Sequence, residues 1–195
     1  MRVAGVLRGG GESRRFGAPK LEALLDGERL LDRACRHFLD AGLDPVVFAG
    51  RGRPKDRRVL VVPGGDAMID TLRRGLRAIP DVPFAFAPAD MPFLVPDLVR
   101  ALKDAFLAAR HAYLVPAHGG RRGHPAFARF REPFFEHGDA EGAREIWRLA
   151  GTELHHHPVA TADVLFDVDT PEDLAAAGSE ASRRARLVER GTLAG

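Results

Sequence analysis

The stretch RVAGVLRGGGESRRFGAPK, residues 2–20, decides the fold of this chain. Its first part is apolar and runs into glycines, so we predict a strand over residues 2–8 and a loop over residues 9–20. A loop after the first strand of a parallel sheet lies at the carboxyl edge, where ligands bind in open α/β folds. Glycines let backbone amides approach a phosphate closely, and arginine and lysine side chains add positive charge. The stretch therefore predicts a polyphosphate-binding loop.

The loop fits neither of two common phosphate-binding motifs. A P-loop needs lysine directly after its second glycine, whereas Gly17 is followed by Ala18. The dinucleotide fingerprint needs three spaced glycines; Gly9 and Gly11 fit, but Arg14 stands at the third position. A dinucleotide-dependent oxidoreductase is therefore disfavoured. A plain glycine-rich turn with solvated arginines stays open as an alternative at this point.

Strands and helices alternate along the rest of the chain. Asp66 and Thr170 are positioned to cap the helices that follow them. Alternation of this kind predicts a mostly parallel, Rossmann-like sheet in a three-layer α/β/α sandwich. Further strands are predicted over residues 46–49, 59–62, 84–87, 112–115, 126–130, 153–157 and 164–166. Helices are predicted over residues 28–41, 66–78, 96–110 and 139–150, and from residue 171 onward.

The length of 195 residues suits one domain. We expect it to span residues 1–178, with a nucleotide-binding half over 1–116 and an acceptor-binding half over 117–178. Residues 179–195 form a polar, arginine-rich tail, for which a loose helix and disorder are both open.

Composition narrows the class of partner. The net charge is +2 and charges of both signs are mixed along the chain, so we expect no nucleic-acid partner. No apolar run reaches the roughly 20 residues of a membrane span, and no secretory signal is evident. The single cysteine, Cys35, forms no internal disulfide and fits a cytoplasmic location. The oligomeric state cannot be predicted from these features.

Four motifs occur in a fixed order along the chain. GGESRRFG at residues 10–17, followed by Pro19 and Lys20, resembles the opening signature of the MobA/MocA-like nucleotidyltransferases. These enzymes include the guanylyltransferases and cytidylyltransferases of the molybdenum cofactor. The later motifs that resemble the family are DMPFL at 90–94, GHP at 123–125 with GD…GAR at 138–144, and DVDTPEDL at 167–174.

This resemblance implies a nucleotide-diphospho-sugar-transferase-like fold and a Mg²⁺-dependent reaction, in which a substrate phosphate attacks the α-phosphorus of an NTP and pyrophosphate leaves. Such a transfer needs positioning and charge neutralisation, and Mg²⁺ is held by one or two carboxylates together with phosphate oxygens. Carried over by position, the resemblance implies nucleotide-binding roles for Gly9, Gly10, Gly11, Ser13, Arg15 and Lys20. It implies catalytic roles for Arg15, Lys20 and Asp90, metal binding by Asp90, Asp169 and Asp167, and acceptor binding by His124.

The resemblance leaves the nucleotide and the acceptor open. The opening glycines and DMPFL favour GTP, and GHP with GD…GAR favours CTP; we prefer the MobA-type assignment, with molybdopterin as acceptor. A sugar phosphate or another phosphorylated acceptor is an alternative, and a non-catalytic nucleotide-binding module is a second one.

Arg8 and Gly9 depart from the Leu-Ala pair usual before the glycines of these enzymes. A charged side chain at the end of a buried strand costs free energy unless it finds a partner. We therefore expect the Arg8 guanidinium either to extend to solvent or to reach a ligand.

Overall fold

The computed structural model describes residues 1–9, 16–138 and 141–192, with residues 184–192 described by their backbone alone. The strands are β1 (Ala4–Gly9), β2 (Leu24–Leu25), β3 (Glu28–Arg29), β4 (Val46–Gly50), β5 (Leu60–Val62), β6 (Phe84–Pro88), β7 (Tyr113–His118), β8 (Arg121–Arg122), β9 (Ala126–Ala128) and β10 (Leu154–Pro158). The α-helices are α1 (Leu30–Asp40), α2 (Met68–Arg77), α3 (Pro96–Ala108), α4 (Glu132–Glu136), α5 (Ala143–Ala150) and α6 (Pro171–Thr192).

The central sheet follows the order β10-β7-β9-β6-β1-β4-β5, with β8 paired to β7. Strand β1 lies in the middle and pairs in parallel with β4 on one side and β6 on the other. Strand β9 is antiparallel to both of its neighbours, β6 and β7. The predicted mostly parallel, Rossmann-like sheet is confirmed. Because β1 is parallel to both neighbours, its carboxyl end lies beside those of β4 and β6 at one edge of the sheet.

Helices cover both faces of the sheet, which confirms the three-layer α/β/α sandwich. On one face, α1 and α3 pack against the sheet through residues such as Phe38 and Phe106. On the other face, α2, α4 and α5 contribute Leu72, Phe134 and Trp147. Strand β1 is buried on both sides, which explains why it reads as a continuous apolar run rather than an alternating one.

The first helix begins later than predicted. Residues 28 and 29 belong to a short hairpin formed by β2 and β3, and α1 starts at Leu30. The connection between the two strands is Asp26-Gly27, with φ angles of 53° and 78°. Such left-handed pairs form the tight two-residue turns that match the twist of antiparallel strands. The Asp-Gly pair was the available sequence signal for this hairpin.

The strand predicted over residues 164–166 is wrong. The structure has a 3₁₀ turn over Ala162–Leu165, whose start is capped by Thr161, because its side chain accepts a hydrogen bond from the Asp163 amide at 3.2 Å. The turn buries Val164 against the α1 and α3 side of the core. A short apolar run does not distinguish this local bonding from a strand.

The helix predicted from Asp66 is also displaced. Helix α2 begins at Met68, with Ala67 at the cap position and no side-chain cap hydrogen bond. The hydroxyl of Thr71 instead accepts a hydrogen bond from the Gly65 amide at 3.0 Å, which ties the preceding loop to the helix from within.

Two further helix limits differ from the predictions. Helix α5 starts at Ala143, after Gly142 at a φ of 60°, whereas a start at Asp139 was predicted; residues 139 and 140 lie outside the described residues. Helix α6 continues past residue 178 to Thr192, so the first part of the predicted tail prolongs the last helix. Among the residues described, we find no helix with the length and apolar character needed to cross a bilayer.

Two glycines allow β1 and β4 to approach closely at the carboxyl edge. Gly9 and Gly50 face each other in the register of the two strands. A Cβ atom on Gly50 would lie 2.3 Å from the carbonyl oxygen of Gly9, and one on Gly9 would lie 2.5 Å from the Phe48 ring. Both distances are far below van der Waals contact. The packing therefore requires glycine at both positions.

We expect Gly50→Ala to lower the free energy of unfolding by about 1–3 kcal/mol, because the added methyl group overpacks a site bounded by backbone. Urea denaturation at constant pH measures this change. Gly178→Ala is the matched control: a Cβ there would come no closer than 3.9 Å to Leu25, and alanine favours a helix interior by about 0.5–1 kcal/mol. Equal stabilities of the two variants would contradict the steric account.

Candidate active site

Backbone hydrogen bonds link the carboxyl ends of β1 and β6 to each other and to the loop that precedes α6. The amide of Ala89 donates a hydrogen bond to the Arg8 carbonyl at 2.9 Å, which extends the β1–β6 pairing by one residue. The amide of Val168 donates to the Asp90 carbonyl at 2.9 Å. These backbone bonds bring Asp90 of the DMPFL motif beside Asp167 and Asp169 of the closing motif. Asp90 is buried at the junction.

Lys20 joins the same junction from the end of the opening loop. Its Nζ forms an ion pair with the Asp90 carboxylate and donates a hydrogen bond to Asp169 Oδ1 at 2.9 Å, across 149 positions of sequence. The lysine opens a 3₁₀ turn over Lys20–Glu22, and its side chain is largely buried. The structure thus brings together three of the residues that sequence motifs had singled out.

The charges of this cluster reinforce one another. Burial acts against the protonated form of Lys20, but Asp90 and Asp169 together outweigh it, so the pKa of Lys20 is raised and its ammonium group stays charged. Burial raises the pKa of Asp167, and the negative charges of Asp90 and Asp169 raise it further. Asp167 is nevertheless solvent-exposed, which screens that repulsion. The carboxylates of Asp90, Asp167 and Asp169 together carry more negative charge than Lys20 neutralises.

The donor set at the junction fits a hard divalent cation. Asp90 Oδ2 contacts Lys20, whereas its Oδ1 is buried and has no hydrogen-bond partner in the described part of the chain. In residues 1–9, 16–138 and 141–183, no three His, Cys, Asp or Glu side chains form a ready-made metal cage. Mg²⁺ is commonly held by one or two carboxylates together with phosphate oxygens and water. The residues that could hold a metal are therefore Asp90 first, with Asp169 or Asp167 beside it.

Asp169 is held in place by the start of α6. The carboxylate of Asp173 accepts hydrogen bonds from the amides of Asp169 and Thr170, at 3.0 and 2.8 Å. In return, the Asp173 amide donates to the Thr170 hydroxyl at 3.2 Å. This reciprocal arrangement is a capping box with aspartate in the third helical position. The predicted Thr170 cap is confirmed, and the box fixes the backbone that carries Asp169.

His124 lies beside a pocket of about 220 Å³ that opens next to this cluster. The pocket wall includes Pro88, Met91, His124 and Asp167. The amide of His124 donates to the Val164 carbonyl at 2.8 Å. The residue is partly exposed, but its Nδ1 is buried and has no partner among the residues described.

The imidazole of His124 is neutral at ordinary pH. Burial, assisted by the positive charge of Arg8, lowers the pKa of His124 to about 3, against a smaller upward effect of a backbone hydrogen bond to Phe86. Its ring therefore offers a hydrogen-bonding nitrogen rather than a charge to whatever occupies the pocket.

The predicted nucleotide-binding residues divide into two groups. Gly9 ends β1 and faces Gly50, so the structure gives it a packing reason to be glycine. Lys20 is placed in the charged cluster described above. The remaining predicted residues, Gly10, Gly11, Ser13 and Arg15, lie outside the described residues.

Sequence motifs gave no role to Arg8, although the structure places it at the same edge. The charge of Arg8 acts on both Asp90 and His124. Its Nε is buried and lacks a hydrogen-bond partner in the described residues. An arginine that ends an otherwise apolar central strand was the sequence signal for this residue.

Comparison with known proteins adds to this geometry. Residues 5–157 match the family described as "MobA-like NTP transferase domain". The chain belongs to this family. It is accordingly a nucleotidyltransferase. The molybdenum cofactor guanylyltransferase of Rhodopseudomonas palustris (strain BisB5) is 32% identical over 203 residues, which cover 93% of this chain and 94% of that relative.

Solved structures share the fold. The molybdopterin-guanine dinucleotide biosynthesis protein A of Archaeoglobus fulgidus has a TM-score of 0.67 at 22% identity, over 94% of this chain and 100% of its own. Rv0371c of Mycobacterium tuberculosis H37Rv, solved in complex with manganese, has a TM-score of 0.68 at 21% identity, over 92% of this chain and 98% of its own.

We expect Asp173→Ala to lower the melting temperature by about 2–4 °C, because losing a helix cap costs about 1 kcal/mol and this change leaves two backbone amides without their partner. Differential scanning calorimetry measures the shift. Asp173→Asn keeps an amide oxygen that can accept one of the hydrogen bonds, so its melting temperature should fall by less than that of Asp173→Ala. A melting temperature unchanged in both variants would contradict the structural role of the capping box.

Proposed function

We propose that this chain transfers the GMP group of GTP to the phosphate of molybdopterin, in a Mg²⁺-dependent reaction that releases pyrophosphate. The observation that carries the proposal is the cluster of Lys20, Asp90 and Asp169 at the carboxyl end of β1, with a buried carboxylate oxygen still without a partner. The guanylyltransferase name of the Rhodopseudomonas palustris relative supports GTP over CTP and molybdopterin as acceptor.

The division of the chain into a nucleotide-binding and an acceptor-binding half is part of this proposal. Residues 1–116 supply Arg8 near the end of β1, Asp90 in the turn after β6, and Lys20, and would bind the nucleotide. Residues 117–178 supply His124 and the pocket wall beside it, and would bind the acceptor. The two halves meet where the Val168 amide bonds to the Asp90 carbonyl.

In the proposed reaction, an oxygen of the acceptor phosphate attacks the α-phosphorus of GTP. The bond between the α-phosphorus and the bridging oxygen to the β-phosphorus breaks, and pyrophosphate leaves with the electron pair. Lys20, which stays protonated, is placed to offset the negative charge that grows on the leaving group. Because such transfers need positioning and charge neutralisation more than covalent help, these roles suffice for the chain's own side chains.

A divalent cation bound by Asp90, with Asp169 or Asp167, would polarise the phosphate oxygens and reduce repulsion between the two anionic substrates. The manganese complex of Rv0371c supports a divalent ion, and Mg²⁺ is our proposal for its identity. Arg15, Gly10, Gly11 and Ser13 keep their proposed nucleotide-binding roles on the strength of the motif alone.

The proposal predicts that pyrophosphate is released only when GTP, Mg²⁺ and molybdopterin are present together. A coupled pyrophosphate assay with each of the four NTPs, with and without the pterin, measures this. Release with CTP alone among the nucleotides would correct the base while keeping the reaction class. Release with a sugar phosphate and none with molybdopterin would contradict the proposed acceptor.

Asp90→Asn should lower kcat by at least about a hundredfold, and the melting temperature should fall by only a few degrees, because Lys20 keeps its hydrogen bond to Asp169. The amide keeps the shape of the side chain, and the Val168 bond goes to the Asp90 backbone, which the change leaves intact. Asp97→Asn is the matched control, since its side chain is 91% exposed at the start of α3. Wild-type turnover by the Asp90 variant would rule out its assignment as the principal metal ligand.

A further inference from the structure

The Arg8 side chain lies on the face of the sheet that α2 covers, over Phe86. Arg8 pairs in register with Pro88 of β6, and its guanidinium carbon lies 5.9 Å from the centre of the Phe86 ring. The His124 ring lies 6.3 Å from the same centre. Phe86 therefore lies near both groups, and the charge of Arg8 interacts with both His124 and the buried Asp90.

Three buried polar atoms without partners surround this point. They are Nε of Arg8, Nδ1 of His124 and Oδ1 of Asp90, as judged within the described residues. Leaving such an atom unsatisfied costs free energy, and native structures usually avoid it unless a ligand or ion completes the bonding. Three in one place indicate that a polar ligand belongs there. Nε of Arg8 is a hydrogen-bond donor and fits an anion, whereas Oδ1 of Asp90 belongs to a carboxylate and fits a cation.

Arg8 and Lys20 come to Asp90 from different segments, β1 and the 3₁₀ turn over Lys20–Glu22. Leu21, next to Lys20, packs with the core on the α1 and α3 side, whereas Phe86 beneath Arg8 belongs to the core on the α2 side. Two cations placed in this way can serve two separate phosphate groups. Arg122 also lines the pocket, but its Nε already donates a hydrogen bond to the His156 ring at 3.1 Å.

We propose that Arg8 binds the phosphate of the acceptor and holds it beside the Asp90 carboxylate, with His124 as a second, uncharged contact. This assignment rests on the proposed function. A guanidinium suits the task because its planar fork donates two parallel hydrogen bonds to a phosphate. The bound phosphate would supply the partner that Arg8 Nε lacks, and its charge would be offset before it meets the triphosphate.

The test compares Arg8→Met and Arg8→Lys with Arg2→Met in the full chain. Arg2 stands just before the opposite end of the same strand, is exposed and pairs with Asp44, so its replacement removes the same charge away from the site. Calorimetric titration measures the affinity for molybdopterin and for Mg²⁺-GTP separately. We expect Arg8→Met to weaken molybdopterin binding by about 10- to 100-fold and GTP binding by less than about threefold, from the strength of a charged hydrogen bond.

Two companion results separate binding from structure. Arg8→Lys should bind molybdopterin with intermediate affinity, and Arg2→Met like the wild type. Arg8→Met should also melt within a few degrees of the wild type, since the lost attraction to Asp90 is offset by removing a buried Nε that has no hydrogen-bond partner among the described residues. Molybdopterin affinity within threefold of the wild type in Arg8→Met, or an equal loss of GTP affinity, would overturn the assignment.

Failure of the proposed function would be recognised independently. If wild-type protein bound no molybdopterin, the proposed acceptor would be wrong, and inorganic phosphate would then serve as the probe. A rise in melting temperature with phosphate that is present in the wild type and Arg2→Met but smaller in Arg8→Met would support an anion site at Arg8. An equal response of all three proteins, including no response, would overturn it.

Discussion

One ammonium group, Nζ of Lys20, connects the parts of this molecule on which its chemistry depends. It contacts carboxylates from two other segments, Asp90 after β6 and Asp169 before α6. A largely buried lysine between two acids is stable only because each charge has a partner close by, since removing charges from water is costly. The contact therefore requires the opening loop, the sheet edge and the last helix to be in place together. The surrounding backbone bonds and the capping box of α6 hold the two acids where that single group reaches both.

The same edge carries polar atoms that the protein leaves unsatisfied. Oδ1 of Asp90, Nε of Arg8 and Nδ1 of His124 are buried with no partner in the described residues. The fold bears this cost in a region where the glycine pair at the ends of β1 and β4 already demands tight packing. Sites that bind charged substrates are commonly built in this way, with stability given up for groups that become satisfied when the ligand arrives. One of the three residues, His124, lines the pocket, which links the stability of this edge to its proposed use.

Local signals in the sequence account for much of the fold. The apolar run of residues 2–8 predicts a strand, and Thr170 predicts the start of α6; both are confirmed. Where the predictions failed, local hydrogen bonding was responsible. The turn at Thr161 replaced a predicted strand, and Thr71, inside α2, holds the preceding loop where Asp66 was predicted to act as a cap. The Asp26-Gly27 turn was not recognised in the sequence, and the hairpin that it forms moves the start of α1 from residue 28 to Leu30.

The sequence by itself determined the layered α/β architecture and the set of acidic and basic residues from which the site is made, because apolar periodicity and short motifs are local properties of the chain. Only the tertiary structure decided which of those residues meet. Lys20 and Asp169 lie 149 positions apart, and no local rule brings them within a hydrogen bond. Arg8 is the clearest case. In sequence Arg8 is a charge at the end of a strand. Its place near Asp90 and His124 arises from the pairing of β1 with β6, and from the packing of the Arg8 and His124 side chains against Phe86. Strand pairing and long-range packing depend on the whole chain, and that is the physical reason why the pocket and its partners required the fold.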